Sequence, residues 1–237
     1  GGADLRWTSE LGPAQRPLTL VGGFAYDTMR ENRKGYQNFT GEGASRQLGV
    51  QGALRRDETN TVYNADPYLQ ASWRVAPRWT LDAGLRYSTV DFRSRDHYVA
   101  PGNGDDSGDA RYRRALPVAA VRYQPDARTS LYASYGRGFE TPTLNELSYR
   151  PGGLPGLNFA LAPALGTHAE AGVKTGLAGG QLTAAVFHVS TENEIVSAGS
   201  TGGRATFRNA GRTRRDGVEL GWSAGFAGHW RAQLAYT

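Results

Sequence analysis

Apolar and polar residues alternate one for one from Trp79 to Tyr87: Trp79, Leu81, Ala83, Leu85 and Tyr87 against Thr80, Asp82, Gly84 and Arg86. A period of two sends the two sets to opposite faces of a strand. A helix would put Asp82 and Arg86 beside Trp79 and Leu85 and leave no apolar stripe. The pattern recurs. Leu69, Ala71, Trp73 and Val75 oppose Tyr68, Gln70, Ser72 and Arg74, and Ala169, Ala171 and Val173 oppose His168, Glu170, Gly172 and Lys174. Val218, Leu220, Trp222, Ala224 and Phe226 oppose Glu219, Gly221, Ser223 and Gly225, and Trp230, Ala232, Leu234 and Tyr236 oppose His229, Arg231 and Gln233. Segments 116–123 and 182–189 are apolar on both faces, so their facing stays open.

Connections between these segments alternate in length. Tight turns are expected at Gly12-Pro13, Ala76-Pro77-Arg78, Pro125-Asp126-Ala127, Ala178-Gly179-Gly180 and Ala227-Gly228, recurring about every 50 residues from Pro77 onward. Between them lie polar, glycine-rich stretches at 38–59, 100–110, 140–165 and 198–203. Short turns on one side and long loops on the other are the arrangement of an up-and-down membrane barrel. Segments 78–98 and 204–226 each run about 20 residues without a breaker. Soluble strands centre on about 5–6 residues, and about 9–11 tilted residues cross a bilayer. The competing reading is a soluble sandwich or propeller with units of about 50 residues. A propeller unit of that length holds four short strands, whereas each unit here holds two long strands and one long loop. Trp73, Trp79, Trp222, Phe226 and Trp230 fall near the short turns, where outward aromatics would form an interfacial girdle.

The predicted fold is therefore all-β, an antiparallel up-and-down transmembrane β-barrel, represented by about nine or ten strands. An open sheet of that size leaves two unpaired edges in lipid, so the chain is expected to be part of a larger barrel. Composition agrees: 39% apolar residues, 11% aromatics and 32 glycines suit a sheet with one apolar face per strand. No apolar run is long enough for a membrane helix, and a mean hydropathy of -0.53 is compatible with barrel strands. Cysteine is absent, which removes disulfides and thiolate chemistry. The net charge of +5 is carried by arginine, since Lys34 and Lys174 are the only lysines. The arginines are scattered, which argues against nucleic acid as a partner. The start, Gly1-Gly2-Ala3-Asp4, has no charged n-region or apolar h-region, so an exported precursor would begin upstream.

Two stretches carry more than periodicity: Leu131-Tyr132-Ala133-Ser134-Tyr135-Gly136-Arg137-Gly138-Phe139 running into Pro142-Thr143-Leu144-Asn145-Glu146-Leu147, and Phe207-Arg208-Asn209-Ala210-Gly211 running to Gly217-Val218-Glu219-Leu220. Between them stand Asn158-Phe159-Ala160-Leu161-Ala162-Pro163 and Glu170-Ala171-Gly172-Val173-Lys174. In this order they resemble the barrel region of TonB-dependent outer-membrane receptors of the siderophore-receptor type, over roughly residues 60–237. Ala164 departs from the family pattern, which usually has Glu there. The resemblance implies a barrel of about 22 strands with a plugged lumen, placed in the bacterial outer membrane. Uptake of a ferric siderophore or similar nutrient would be driven by an inner-membrane TonB complex acting through the plug. No plug or TonB box is recognisable, so residues 1–237 are read as part of the barrel domain alone.

Candidate ligand residues are sought beside the long loops. Tyr98, Arg111, Tyr112 and Arg113 flank the 100–110 loop, and Tyr149 and Arg150 sit in the 140–165 loop. Ferric siderophores present anionic, oxygen-rich surfaces that arginine forks and tyrosine rings bind. Solvated loop charge and contact with lipopolysaccharide phosphate are the alternatives for each residue. The resemblance implies that Glu140, Asn145 and Glu146, which follow the strand end at Phe139, shape the outer rim of the lumen. Arg86 and Arg137 are also expected at the lumen wall or its rim, and Asp82, Glu170, Lys174 and Glu219 with Arg86 in a charged lumen network.

His97, His168, His188 and His229 share no metal-ligand spacing, and Asp105, Asp106 and Asp109 lack a calcium-loop spacing. No metal or cofactor is expected, and nothing marks a catalytic nucleophile, so an enzyme is not the expectation. The alternatives to a siderophore receptor are a passive porin or structural barrel, or a receptor for another nutrient such as cobalamin. Copper is disfavoured because Met29 is the single methionine, and haem less strongly.

Overall fold

The computed structural model describes residues 1–153, 156–201, 204–226 and 228–237. Ala227 of the last expected tight turn, Gly202 and Gly203 of the 198–203 connection, and Leu154 and Pro155 of the 140–165 connection lie outside the described residues. The strands, in chain order, are β1 (Gly2–Leu11), β2 (Leu18–Tyr36), β3 (Phe39–Thr40), β4 (Gln47–Leu48), β5 (Leu54–Ala76), β6 (Trp79–Asp96), β7 (Gly108–Tyr123) and β8 (Thr129–Glu140). A short helix α1 (Leu144–Leu147) follows, then β9 (Ala164–Leu177), β10 (Gly180–Glu192), β11 (Ile195–Thr201), β12 (Arg204–Asn209), β13 (Arg212–Phe226) and β14 (Trp230–Tyr236). Ten strands form one sheet in the order β1-β2-β5-β6-β7-β8-β9-β10-β13-β14, every neighbour antiparallel. The meander matches the sequence expectation, with the tight turns at one end and the long connections at the other.

Register fixes the two faces. Leu69 pairs with Leu85, Leu85 with Pro117, Ala119 with Tyr135, and Val186 with Val218, so the apolar sets of neighbouring strands line one face. That face is bare: Leu69 is 57% exposed, Leu85 51% and Leu234 66%. Burying a leucine is worth about 1.5–3 kcal/mol, and this sheet forgoes that over its whole width, as expected where lipid is the neighbour. The face also carries the aromatics near the tight turns. The rings of Trp79 and Tyr123 lie 4.5 Å apart, and those of Trp222 and Phe226 5.8 Å apart. Segments 116–123 and 182–189, ambiguous in sequence, turn Pro117, Ala119, Val121, Leu182, Ala184 and Val186 outward.

The opposite face is polar and glycine-rich. A Cβ on Gly23 would stand 2.4 Å from the ring of Tyr68, and one on Gly172 would stand 2.8 Å from the ring of Tyr132. Side chains there would displace the rings, so glycine serves close packing across strands. Arg86 pairs with buried Asp66 at 2.8 Å. Tyr132 donates to Glu170, and Lys174 sits 5.6 Å from the Tyr132 ring centre. Of the expected charged network, Arg86 is engaged by Asp66 across β5–β6, while Glu170 and Lys174 gather about Tyr132 on β8–β9.

Three expectations are corrected. The 38–59 stretch is not all loop, because β5 begins at Leu54 and β3 and β4 form a small hairpin. The 198–203 stretch continues a ladder as far as Thr201 opposite Arg204. Segment 204–226 is broken at Ala210–Gly211, where Asn193 takes a φ of 56° and interrupts the facing strand. Bonds from Asn193 N–H to Gly211 O (3.0 Å) and Ala210 N–H to Glu194 O (2.7 Å) keep the halves joined.

The ladder between β7 and β8 stops at Val118 opposite Gly136. Pro117 follows, with its carbonyl oxygen on the Gly136 side. The N and O of one strand residue point the same way, so the missing donor of Pro117 falls where pairing ends. Beyond it β7 and β8 diverge toward the loop end.

Candidate ligand site

The described residues of the connection 141–163 fold over the polar face instead of extending away from it. Thr143 and Glu146 open it with a reciprocal cap: Thr143 N–H donates to Glu146 Oε2 at 2.7 Å, and Glu146 N–H donates to Thr143 Oγ1 at 3.3 Å. The cap starts α1 and aims Leu147, fully buried, into a cluster with Phe92, Ala110, Tyr112 and Leu161. Polar straps hold the segment to both walls. Arg33 donates to Ser148 Oγ at 2.7 Å, Arg56 to Ser148 O at 3.1 Å, and Tyr112 Oη to Leu161 O at 2.8 Å. On the other wall Asn209 Nδ2 donates to Ala162 O and its Oδ1 accepts from Ala162 N–H, both at 2.8 Å, while Asn158 Nδ2 donates to Phe207 O at 3.2 Å. The residues that carry the sequence motifs are thus the fastenings of this loop.

Above the loop's edge lies a polar cleft of about 670 Å³, bounded by β2, β5, the 97–107 loop, Tyr149 and Arg204. Five cations line it (Arg33, Lys34, Arg55, Arg56 and Arg204) against three carboxylates (Glu58, Asp96 and Asp106). Tyr149 stands between two guanidinium groups, with Arg56 4.8 Å and Arg204 5.2 Å from its ring centre. Arg56 Nη1 is buried and has no hydrogen-bond partner among the described residues. Asp96 braces the opposite wall, accepting from Tyr98 N–H at 2.8 Å and Asp106 N–H at 3.1 Å. Burial first, and then the neighbouring Asp96 charge, push the Asp106 carboxyl above its ordinary range. The Ser107 hydroxyl, followed by its N–H, holds Asp105 below that range. Excess cation, a ring in contact with two guanidinium groups and an unfilled donor suit an anionic, oxygen-rich ligand.

Of the sequence candidates, Tyr98 and Tyr149 line this cleft. Arg150 follows Tyr149, is exposed, and stands outside the lining. Tyr112 is buried beneath the loop and anchors it. Arg111 and Arg113 are corrected: they register with Asp91 and Thr89 on the same face as Pro117 and Leu85, so the period of two turns them to the outer wall. Arg137 shares that fate, two residues beyond Tyr135 on the outward side of β8. Arg86 faces the lumen side, Glu146 is engaged in the cap, and Glu140 and Asn145 are exposed at the rim. Arg33, Arg55, Arg56 and Arg204 went unmarked in the sequence. Leu54 to Asn60 is polar at nearly every position, so the strand above the membrane has no alternation to read.

The sequence matches, over residues 1–237, the family model described as "TonB dependent receptor-like, beta-barrel". It is 26% identical over 192 residues to the probable TonB-dependent siderophore receptor PiuA of Acinetobacter baumannii, covering 77% of this chain and 24% of that protein. The crystal structure of PiuA from A. baumannii superposes with a TM-score of 0.71 at 18% identity, covering 98% of this chain and 37% of that one. The ferripyoverdine receptor of Pseudomonas aeruginosa, bound to ferripyoverdine, superposes at 0.69 with 18% identity, covering 98% and 31%. These two structural likenesses establish the fold. The chain spans 24% to 37% of the length of these relatives.

Proposed function

This chain belongs to the TonB-dependent receptor β-barrel family, and on that premise we propose that it supplies wall and loop-side binding surface to a receptor taking up a ferric siderophore. Residues 1–237 act in this reading as part of a larger barrel in the bacterial outer membrane, with the plug and its TonB contact supplied outside this stretch. The observation that carries the reading is Tyr149 held between Arg56 and Arg204 in a cleft of excess positive charge. Aromatic and guanidinium planes there meet the flat, anionic face of a ferric chelate by charge-assisted hydrogen bonds and stacking. Tyr98 and Arg55 complete the contact from the facing walls. The names of PiuA and of the ferripyoverdine receptor support the siderophore class.

The test is titration of the intact outer-membrane protein with a ferric tris-catecholate, read by tryptophan fluorescence. Saturable binding that weakens at least tenfold in Arg55→Gln/Arg204→Gln is expected, since a single lost charge-assisted bond of about 1.5 kcal/mol already costs that factor. Ion conductance without saturable binding would instead identify a passive porin. Tighter binding of a cobalamin than of the ferric chelate would move the cargo to another nutrient.

A further inference from the structure

Ser148 is buried beneath the ligand cleft and stands outside its lining. It ends α1, and the Thr143–Glu146 cap and the buried Leu147 fix its place. Its hydroxyl donates its one proton to Leu144 O at 2.7 Å, which leaves the oxygen free only to accept. Arg33 Nη1 donates to that oxygen at 2.7 Å, and Arg56 Nη2 donates to the Ser148 carbonyl at 3.1 Å. One residue therefore holds two cleft cations, from β2 and β5, with two different oxygens. Glu58, also buried, lies 3.8 Å from Arg33 Nη1 and 3.5 Å from Arg56 Nε, and Asn60 Nδ2 donates to its Oε1 at 3.0 Å. One carboxylate shared by two guanidinium groups leaves one positive charge uncancelled. A second carboxylate in place of Ser148 would orient both arginines and cancel that charge. A hydroxyl and a carbonyl orient them and leave it standing.

We propose that Ser148 is a positioning residue that sets the cleft's selectivity for anionic over neutral ferric chelates, an inference that rests on the siderophore function proposed above. Ser148 acts through Arg33 and Arg56, which line the cleft, and through Tyr149, the next residue, whose ring centre lies 4.8 Å from the Arg56 guanidinium. Both arginines are held before a ligand arrives, so less side-chain freedom is lost on binding. Without the hydroxyl, Arg33 loses its neutral partner and is free to close on Glu58. That ion pair then withdraws positive charge from the cleft. A neutral chelate gains nothing from the charge, so its affinity does not depend on Ser148.

The intact outer-membrane protein is titrated with a ferric tris-catecholate, which is trianionic, and with a ferric tris-hydroxamate, which is neutral. The ratio of the two affinities is read by tryptophan fluorescence. The unaltered protein should favour the catecholate. Ser148→Ala should lower the ratio about tenfold, the factor that one charge-assisted hydrogen bond supplies, and leave the hydroxamate affinity unchanged. Ser148→Thr, which keeps the hydroxyl, should restore the ratio. Ser148→Ala combined with Arg33→Gln should lose no more than Arg33→Gln alone, because both changes break the same bond. A ratio near one in the unaltered protein, or an unchanged ratio in Ser148→Ala, overturns the proposal. Equal weakening of both chelates does so too, since it would mark a loosened loop, and so do additive losses in the double variant. No saturable binding of the catecholate by the unaltered protein overturns the siderophore function itself and the proposal with it, so the two failures are distinct. If Ser148→Ala fails to fold, shown by loss of heat-modifiable gel mobility, Ser148→Cys, which is close in volume but only a weak acceptor, is read by the same ratio.

Discussion

The hydroxyl of Tyr112 donates to the carbonyl oxygen of Leu161, 2.8 Å away and 49 positions along the chain. It joins the wall strand β7 to the loop that lies across the polar face, and both residues are buried there. Tyr112→Phe keeps the ring in its T-shaped contact with Phe92 but strands the buried carbonyl. That costs about 1–3 kcal/mol. Amides of residues 158–162 should exchange faster in hydrogen–deuterium exchange, while the β6–β7 ladder stays protected. Unchanged exchange in the loop would show that the cap and the Asn209 clamp hold it without Tyr112.

Leu69 and Gln70 are neighbours on β5 with opposite fates, since Leu69 pairs with Leu85 on the bare apolar face and Gln70 with Gly84 on the polar one. An arginine on the lipid face costs about 2–4 kcal/mol at the bilayer midplane and little on the lumen face. Leu69→Arg should therefore lower the yield of folded barrel in lipid vesicles, and Gln70→Arg should leave it near the parent level. Equal loss for both would contradict the assignment of faces.

What could be read in advance follows from where lipid imposes a period. Trp79 to Tyr87 alternates because one side meets hydrocarbon, and the register found there is the one the sequence implies. Leu54 to Asn60 stands beyond the membrane with water or loop on both sides, so nothing selects apolar residues at every second position. The same limit explains the arginines. Continuing the count from Pro117 would have turned Arg113 and Arg111 outward, but proximity to a loop drew them into the expected site. Arg56 on β5 and Arg204 on β12 meet Tyr149 of the intervening connection only through tertiary folding, and no local spacing announces that.

Tyr149 separates two contributions to ligand binding, because its ring sits between Arg56 and Arg204 while its hydroxyl can serve a ligand. Tyr149→Phe retains the cation–ring contacts, and Tyr149→Ala releases both guanidinium groups, each contact being worth about 0.5–1 kcal/mol at exposed sites. Titration with a ferric tris-catecholate should show a small loss for Phe and a loss of about tenfold for Ala. Equal affinity in all three proteins would remove the ring from the site.

Glu194 lies at the break between β10 and β11, where the Thr213 hydroxyl donates to one carboxylate oxygen and Arg215 to the other at 2.6 Å. The Thr213 bond first, and then Arg215, hold its carboxyl below the ordinary value of 4.5. A carboxylate with a lowered folded pKa stabilises the folded state fully above its unfolded value, and that stability is lost as pH falls through the folded one. The β11–β12 hairpin should therefore keep its amide protection down to about pH 4.5 and lose it progressively below. In Glu194→Gln the protection should be weaker at neutral pH and flat through the acid range, because the group no longer titrates. Exchange measured from pH 7 to pH 3, with rates corrected for intrinsic pH dependence, distinguishes the two proteins, and parallel acid profiles would show that Glu194 does not hold the break.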